Sequence, residues 1–559
     1  MTTKKYTLAQ NTLAPSTLAA IIPVMTIHDA TAGADNFVGT AADFDLVSYK
    51  DATGPVIVVL PGPGATNSDG AVSTGWAAGD TYGDSIDGIE GTSGADKFYG
   101  NGADNFFIGG AGADTFYGGA GIDTISYQTA TSAIRINIGY FETGIGDALG
   151  DTVQGIENIV GSSFNDTITG SGEDNKIEGG DGNDLLQGST GADTIDGGDG
   201  IDTVSYSYSD SWNVVIDLGA VDGIQAGLET TNHARGDKLI SIENVIGTKW
   251  ADKITGNDVA NVLDGGKQVN GGTAVDTLAG AGGNDIYYVD ENINNYVDIV
   301  IEKENEGTDL VYTTYNYTLT AHVENLTAIA GKWNAVRLTG NNLANTIIGN
   351  EANNVINGLT GADYMAGGRG NDVYYIHDAS DRVVETSTGG VDTVYSYVSC
   401  NLANYVENLY GAGSSAINLT GNTLANVIKG NSGNNKINGY TGKDVLYGGS
   451  GKDIFQFTTA ATSSNVDKIA DYNVAYDSIQ LDNRYFTKLG SGTPTSPKKL
   501  ASSAFWKGAK AHDSNDRIIY DATKGYLYYD ADGTGSSKQV LIATMAKGLK
   551  MNYAEFFVI

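Results

Sequence analysis

The chain has 559 residues, 77 of them glycine, with only 7 prolines and a formal net charge of −35. Glycine without a Gly-X-Y period excludes collagen, and 40% hydrophobic residues exclude a simple disordered chain. The acidic balance excludes nucleic acid as a partner, because phosphates would be repelled.

The first residues carry Lys4 and Lys5 and an apolar stretch from Leu18 to Ile27 that Pro23 interrupts. No small-residue cleavage site comes after it, so a cleaved leader is not expected there. No run of 18 apolar residues occurs, so no membrane span is expected. The single cysteine, Cys400, has no partner for an intramolecular disulfide.

A half-formed turn, Gly33-Ala-Asp35-Asn-Phe37, precedes a period of nine residues that organises most of the chain beyond it. In the clearest block, Gly161, Gly170, Gly179, Gly188 and Gly197 lead Asp166, Asn175, Asp184, Asp193 and Asp202. Two positions further on stand Ile168, Ile177, Leu186, Ile195 and Val204. The register recurs around Asp96, Asn105, Asp114 and Asp123, and around Asp252, Asn261, Asp276 and Asp285, where Lys267 to Asn270 are inserted. It returns at Asn345, Asn354, Asp363 and Asp372, and again at Asn426, Asn435, Asp444 and Asp453. Fixed self-similarity of this kind marks a solenoid.

Longer modules separate the blocks. Thr124-Ile-Ser-Tyr127 and Thr203-Val-Ser-Tyr206 open two of them, which close on Gly155-Ile-Glu-Asn-Ile159 and Ser241-Ile-Glu-Asn-Val245. Leu46-Val-Ser-Tyr49 and Asp87-Gly-Ile-Glu90 bracket an earlier one. A second type carries Val323-Glu-Asn-Leu326 and Val406-Glu-Asn-Leu409. Tracts such as Val311 to Leu319 are rich in Thr, Tyr and Val and read as strands.

The resulting division is an N-terminal segment at 1–30, a connector-like module at 31–90 and repeat blocks at 91–126, 161–205, 247–289, 340–376 and 421–457. Connectors fill 127–160, 206–246, 290–339 and 377–420, and a C-terminal cap occupies 458–559.

In Gly188-Ser-Thr-Gly191-Ala-Asp193-Thr-Ile195-Asp196 the glycines permit a tight turn, and three residues suffice for one brief strand with its middle residue inward. Stacking turns about 4.8 Å apart would align the aspartates into ladders that repel. A hard divalent ion with several oxygen ligands relieves that repulsion, and calcium suits flexible carbonyl-plus-carboxylate sites better than magnesium.

The nonapeptide from about Gly91 to Phe457 resembles the RTX, or hemolysin-type calcium-binding, repeat. That resemblance implies an all-β fold, a right-handed parallel β-roll or β-helix with multiple calcium ions between turns. The aspartates expected to carry metal are Asp96, Asp114, Asp123, Asp166, Asp184, Asp193, Asp202, Asp252, Asp276, Asp285, Asp363, Asp372, Asp444 and Asp453. The ions are expected mainly around Asp114, Asp123, Asp184, Asp193, Asp202, Asp363, Asp372, Asp444 and Asp453. Turns at Asn345, Asn354, Asn426 and Asn435 have a neutral amide and no leading glycine pair, which argues for calcium elsewhere.

After Phe457 the period stops. Arg517 to Asp521, Gly525 to Asp530 and Val540 to Thr544 read as three strands of a cap that resembles the C-terminal domain of serralysin-type proteases. Asp530-Ala-Asp532-Gly533 resembles a calcium-loop start but lacks a twelfth-position glutamate, so a turn is expected. The end, Glu555-Phe-Phe-Val-Ile559, resembles a type I secretion signal. The resemblance thus implies a type I exporter as partner and a secreted, extracellular or cell-surface location in a Gram-negative bacterium.

No histidine among the five is followed by glutamate, and no Gly-x-Ser-x-Gly or Walker loop occurs, so no enzyme is expected. Modules over almost the whole length favour a surface-layer or filament-like structural protein, through self-assembly or a cell-surface polysaccharide. A released adhesin or bacteriocin-like factor is the alternative, with a polysaccharide-acting enzyme on a β-helix third.

Overall fold

The computed structural model describes residues 3–6, 25–40, 43–62, 73–140, 144–209, 212–225, 233–267, 274–290, 297–331 and 334–559. Most of the apolar stretch from Leu18 to Ile27, and the inserted residues 268–270, lie outside the described residues. The chain divides into two units, Met1–Ile301 and Glu302–Ile559.

In the first unit each nonapeptide supplies one short strand. That strand pairs in parallel with the repeat after next: Asn158–Val160 pairs with Lys176–Asp181, and Lys176–Asp181 with Thr194–Asp199. On the opposite face Thr167–Thr169, Leu185–Gln187 and Thr203–Ser205 stack likewise. One coil is therefore eighteen residues with two faces. Three-residue strands turn only the middle side chain inward. Ile159, Ile177 and Ile195 accordingly meet Ile168, Leu186 and Val204 in the core, all at 0% exposure. The protein is a parallel β-roll, as the period predicts.

Connectors exchange one face for another. Thr152–Gln154 ends a four-stranded sheet that begins at Ile57–Val59, whereas Arg135–Asn137, from the same connector, starts a new one. The next connector repeats the device: Lys238–Ile240 ends the ten-stranded face and Val215–Asp217 begins another. The buried tyrosines that open these modules tie them shut. The Tyr49, Tyr127 and Tyr206 hydroxyls donate to Asp80, Asp151 and Asp237 at 2.6, 2.8 and 2.7 Å.

The second unit continues the same construction through Val373–Ile376, Thr393–Ser396 and Asn408–Gly411, in register. The predicted strand tract from Val311 to Leu319 is two strands, Leu310–Thr313 and Tyr317–Thr318. Tyr317 is buried there, Tyr312 half-buried and Tyr315 exposed. At the end the roll is capped. Ile518–Asp521, Tyr526–Tyr529 and Val540–Thr544 form an antiparallel meander, and the last of them pairs with Asp467–Ile469. Phe556–Val558 pairs with Ser478–Leu481, covering an edge that would otherwise template aggregation. The Asp530 carboxyl accepts from the Gly533 and Asp532 N–H groups, so that segment is a turn.

Candidate metal centre

The sixth residue of each nonapeptide is buried, and its carboxyl or amide forms a ladder along the turn edge. Each backbone N–H donates to the acid one coil ahead: Asp166 to Asp184 at 2.7 Å, Asp184 to Asp202 at 2.8 Å, Asn345 to Asp363 at 2.9 Å. This uses one carboxylate oxygen, Oδ1. The second oxygen separates the turns into two kinds.

In closed turns, Oδ2 faces the N–H of residue two of the same turn. Thr92, Ser162 and Thr248 donate to Asp96, Asp166 and Asp252 at 2.6, 2.5 and 2.6 Å, and their hydroxyls donate as well. Asn105, Asn175, Asn261, Asn345, Asn426 and Asn435 receive the same backbone bond through the amide oxygen. Asn354 differs, its amide nitrogen donating inward to the Ala352 carbonyl. The side chain of residue two also accepts from the N–H of residue four, as Ser162 does from Phe164 and Asn341 from Leu343. These are local Asx- and Ser/Thr-type turns that satisfy their own polar groups.

In open turns, residue two has positive φ: Gly110, Gly119, Gly180, Ser189, Gly198, Leu359, Gly368, Tyr440 and Gly449 lie between 68° and 117°. Residue four is glycine in every one. The carboxylate oxygen Oδ2 of Asp114, Asp123, Asp184, Asp193, Asp202, Asp363, Asp372, Asp444 and Asp453 is buried with no hydrogen-bond donor, and so is that of Asp276. A buried carboxylate oxygen without a donor is costly, and its recurrence at one position makes that position a candidate cation ligand.

The two kinds follow a fixed order. In each block the closed turns come before the open ones, with Asn354 the exception at the second place of its block. Asp96, Asp166 and Asp252, three of the fourteen expected ligands, therefore differ from the rest. Their carboxyls are occupied by their own turns, and Gly91-Thr92, Gly161-Ser162 and Gly247-Thr248 lack the glycine pair just as the asparagine turns do. Asp285 belongs by sequence to the later turns, with Ala281 at φ 70°.

Electrostatics follow from this burial. Desolvation, then nearby acids, pushes Asp114 up to about 8, with Asp151 the largest charge contributor. Burial raises Asp123, Asp184 and Asp193 to about 7, and Asp202 to about 6. Asp276 and Asp444 are raised by burial and by the adjacent charges of Asp298 and Asp467.

Connector acids complete the ladder where the nonapeptide stops, and the sequence motifs did not single them out as ladder members. Asp151 and Asp237 accept from Asp114 and Asp193 N–H; Glu157, Glu243 and Glu407 accept from Asp123, Asp202 and Asp392. The glutamates belong to the Ile-Glu-Asn and Val-Glu-Asn motifs, so the recurrence itself was the available signal.

Backbone space makes a test. Gly180 has φ 111°, and a Cβ there would lie 2.1 Å from the Ser162 carbonyl oxygen. Gly180→Ala should cost on the order of 1–3 kcal/mol and raise the calcium midpoint. Gly172→Ala, in a closed turn with 3.3 Å to Thr190 Oγ1, should change little. Equal calcium titrations for both variants would remove the distinction between turn types.

A parallel β-roll with stacked, buried carboxylates along its turns is the architecture of a metal-binding repeat protein. The chain carries the RTX calcium-binding nonapeptide repeat, matched at residues 90–125, 151–186, 169–204, 268–294, 339–374 and 420–455. Such repeats bind calcium. Over 65 residues the chain is also 40% identical to an endo-1,3-1,4-beta-glycanase, ExsH, of Rhizobium meliloti (strain 1021), spanning 12% of this chain and 14% of that protein.

Proposed function

We propose that this protein is an exported structural protein whose β-roll is rigidified by calcium in the open turns. The observation that carries the reading is the row of buried, donorless Oδ2 atoms at Asp114, Asp123, Asp184, Asp193, Asp202, Asp276, Asp363, Asp372, Asp444 and Asp453. Calcium supplies the positive charge these oxygens lack and takes the oxygen-rich, irregular coordination that such turns provide. Asp96, Asp166 and Asp252 are assigned to metal-free turns.

The structural role rests on the distribution of modules, which fill nearly all the described length and leave no separate globular domain among the described residues. Rows of surface aromatics, such as Tyr375 stacked on Tyr395 at 5.4 Å, offer lateral contact area. Electron microscopy of the purified chain should show ordered sheets or filaments at millimolar calcium that dissolve on chelation. A protein that stays monomeric at high concentration with calcium would favour a released adhesin or bacteriocin-like factor.

Export through a type I system to the surface of a Gram-negative cell is the matching route. Among the described residues no helix is long and apolar enough to cross a membrane. The Glu555–Ile559 tail is embedded once folded: Ile559 N–H donates to the Leu481 carbonyl at 2.9 Å. A signal in that tail is readable only before folding, which suits a chain that folds on meeting calcium outside. Grafting residues 510–559 onto a passenger should route it through a type I exporter. Retention of the passenger in the cytoplasm would remove the tail from the argument.

A further inference from the structure

The modules at 31–90, 127–160 and 206–246 share one tight turn after a buried tyrosine. Ala52, Ala130 and Ser209 N–H donate to the Tyr49, Tyr127 and Tyr206 carbonyls at 2.8, 2.9 and 2.9 Å. The two residues at the tip of that turn are Lys50-Asp51, Gln128-Thr129 and Ser207-Tyr208. The turn itself therefore requires no aromatic residue, yet Tyr208 stands at the third tip and is 75% exposed.

Two more exposed rings share its surroundings. Trp212 is 49% exposed, and Tyr140, from the connector before, is 76% exposed. All three line one cleft of about 310 Å³, together with Gln187, Thr190 and His233. Among the described residues of its wall there is no aspartate, glutamate, lysine or arginine, in a chain of net charge −35. The polar side chains there are hydroxyls, an amide and an imidazole.

The wall is braced. Asn137 Oδ1 accepts from the Gly139 and Tyr140 N–H groups at 2.9 and 3.0 Å, fixing the backbone that carries Tyr140. His233 Nε2 donates to the Ser189 carbonyl at 2.7 Å, and its Nδ1 lies 3.1 Å from Ser209 Oγ. Ser209 Oγ donates to the Trp212 carbonyl at 2.9 Å, and His233 N–H to the Asn213 carbonyl at 3.1 Å. The connector that carries two of the rings is thus tied to a nonapeptide turn.

We propose that this cleft binds an uncharged carbohydrate, a short stretch of a neutral glycan. Tyrosine and tryptophan offer a broad apolar face with a polar edge, which matches the C–H face and hydroxyl rim of a sugar ring. The hydroxyls of a sugar need neutral donors and acceptors, which Gln187, Thr190 and Ser189 supply. An acidic or basic ligand would lose its hydration without gaining a counter-charge from this wall. The volume lies at the lower end of the range of about 300–1,000 Å³ for small-molecule sites. The proposal takes from the proposed function only that the roll is folded in calcium, and it gives that roll a ligand of its own.

The test titrates full-length protein in millimolar calcium with tetra- to hexasaccharides of glucose, mannose and galactose, read by calorimetry and tryptophan fluorescence. A uronic-acid oligosaccharide is the charged control. Saturable binding of at least one neutral series is expected, with the uronic-acid chain bound more weakly. Tyr208→Thr installs the side chain that the sister turn carries at its tip, so the fold tolerates it. That variant and Trp212→Ala should each weaken sugar binding at least about tenfold, the loss of an aromatic anchor, and leave the calcium titration unchanged. Should Trp212→Ala fail to fold, Tyr208→Thr alone decides. Absence of neutral-sugar binding, tighter binding of the uronic-acid chain, or a smaller loss in the folded variants overturns the site. Loss of calcium-dependent assembly in Trp212→Ala, with no sugar bound by the wild type, makes the cleft a contact between copies and overturns it as well. Sugar binding that persists in chelator supports the cleft while removing calcium as the folding switch.

Discussion

Calcium added to the chelated protein near pH 7.5 should produce β-sheet circular dichroism in one steep transition, with magnesium a poor substitute. The roll without metal buries a row of carboxylates along each turn edge, and neighbouring acids such as Asp166 and Asp202 act on Asp184 in the same direction as burial. The turns also order many glycines, which lose the most backbone entropy on folding. Extracellular calcium modules bind at about 10⁻⁴ to 10⁻³ M. A tenfold excess over such a Kd contributes roughly 1.4 kcal/mol per site, so several sites together match an ordinary domain stability of about 5–15 kcal/mol.

Replacing Asp184, Asp193 and Asp202 together by alanine removes three of the donorless carboxyls and should move the midpoint to several-fold higher calcium. The matching triple at Asp96, Asp166 and Asp252 should behave differently. Those carboxyls serve their own turns, so their loss lowers stability with and without calcium and removes no ion. Full β structure and unchanged thermal stability of the wild-type chain in excess chelator would show that calcium is not the folding switch.

Much of this was legible in the sequence because the information is periodic. Glycine, acid and aliphatic residues in a nine-residue register dictate a coil of two short strands, and Ile168, Ile177 and Leu186 occupy the core positions the register assigns. Less legible was the state of each turn. Gly161-Ser162 and Gly188-Ser189 look alike, yet Ser162 closes over Asp166 while Ser189 takes φ 82° and leaves Asp193 open. The difference lies at residue four, Phe164 against Gly191, since only a glycine takes φ 138° without strain. The role of Glu157 and Glu243 was hidden for another reason. Their partners, Asp123 and Asp202, are 34 and 41 residues away, so no local spacing reveals that a connector glutamate fills the next place in an aspartate ladder.

Lowering the pH should do part of what calcium does. In the metal-free roll, burial first and acidic neighbours second raise Asp114 to about 8, Asp123, Asp184, Asp193 and Asp372 to about 7, and Asp202, Asp363 and Asp453 to about 6. In the unfolded chain these groups titrate near about 3.9. A raised carboxyl pKa means that the folded state binds protons more tightly than the unfolded state. The corresponding stability is fully present below about pH 4 and is lost as pH rises through about 6 to 8. Asp521 runs the other way, held low by the Thr523 hydroxyl, but it titrates below this window. In chelator, β signal and melting temperature should therefore rise as pH falls from about 8 to 5, and the difference between calcium-loaded and chelated samples should shrink. Protons and calcium compete for the same Oδ2 atoms, so calcium affinity should fall over the same interval. A chelated chain whose melting temperature drops steadily from about pH 8 to pH 5 would mean that the ladder carboxyls are stabilised as anions by the protein alone, and the metal would have no charge to neutralise.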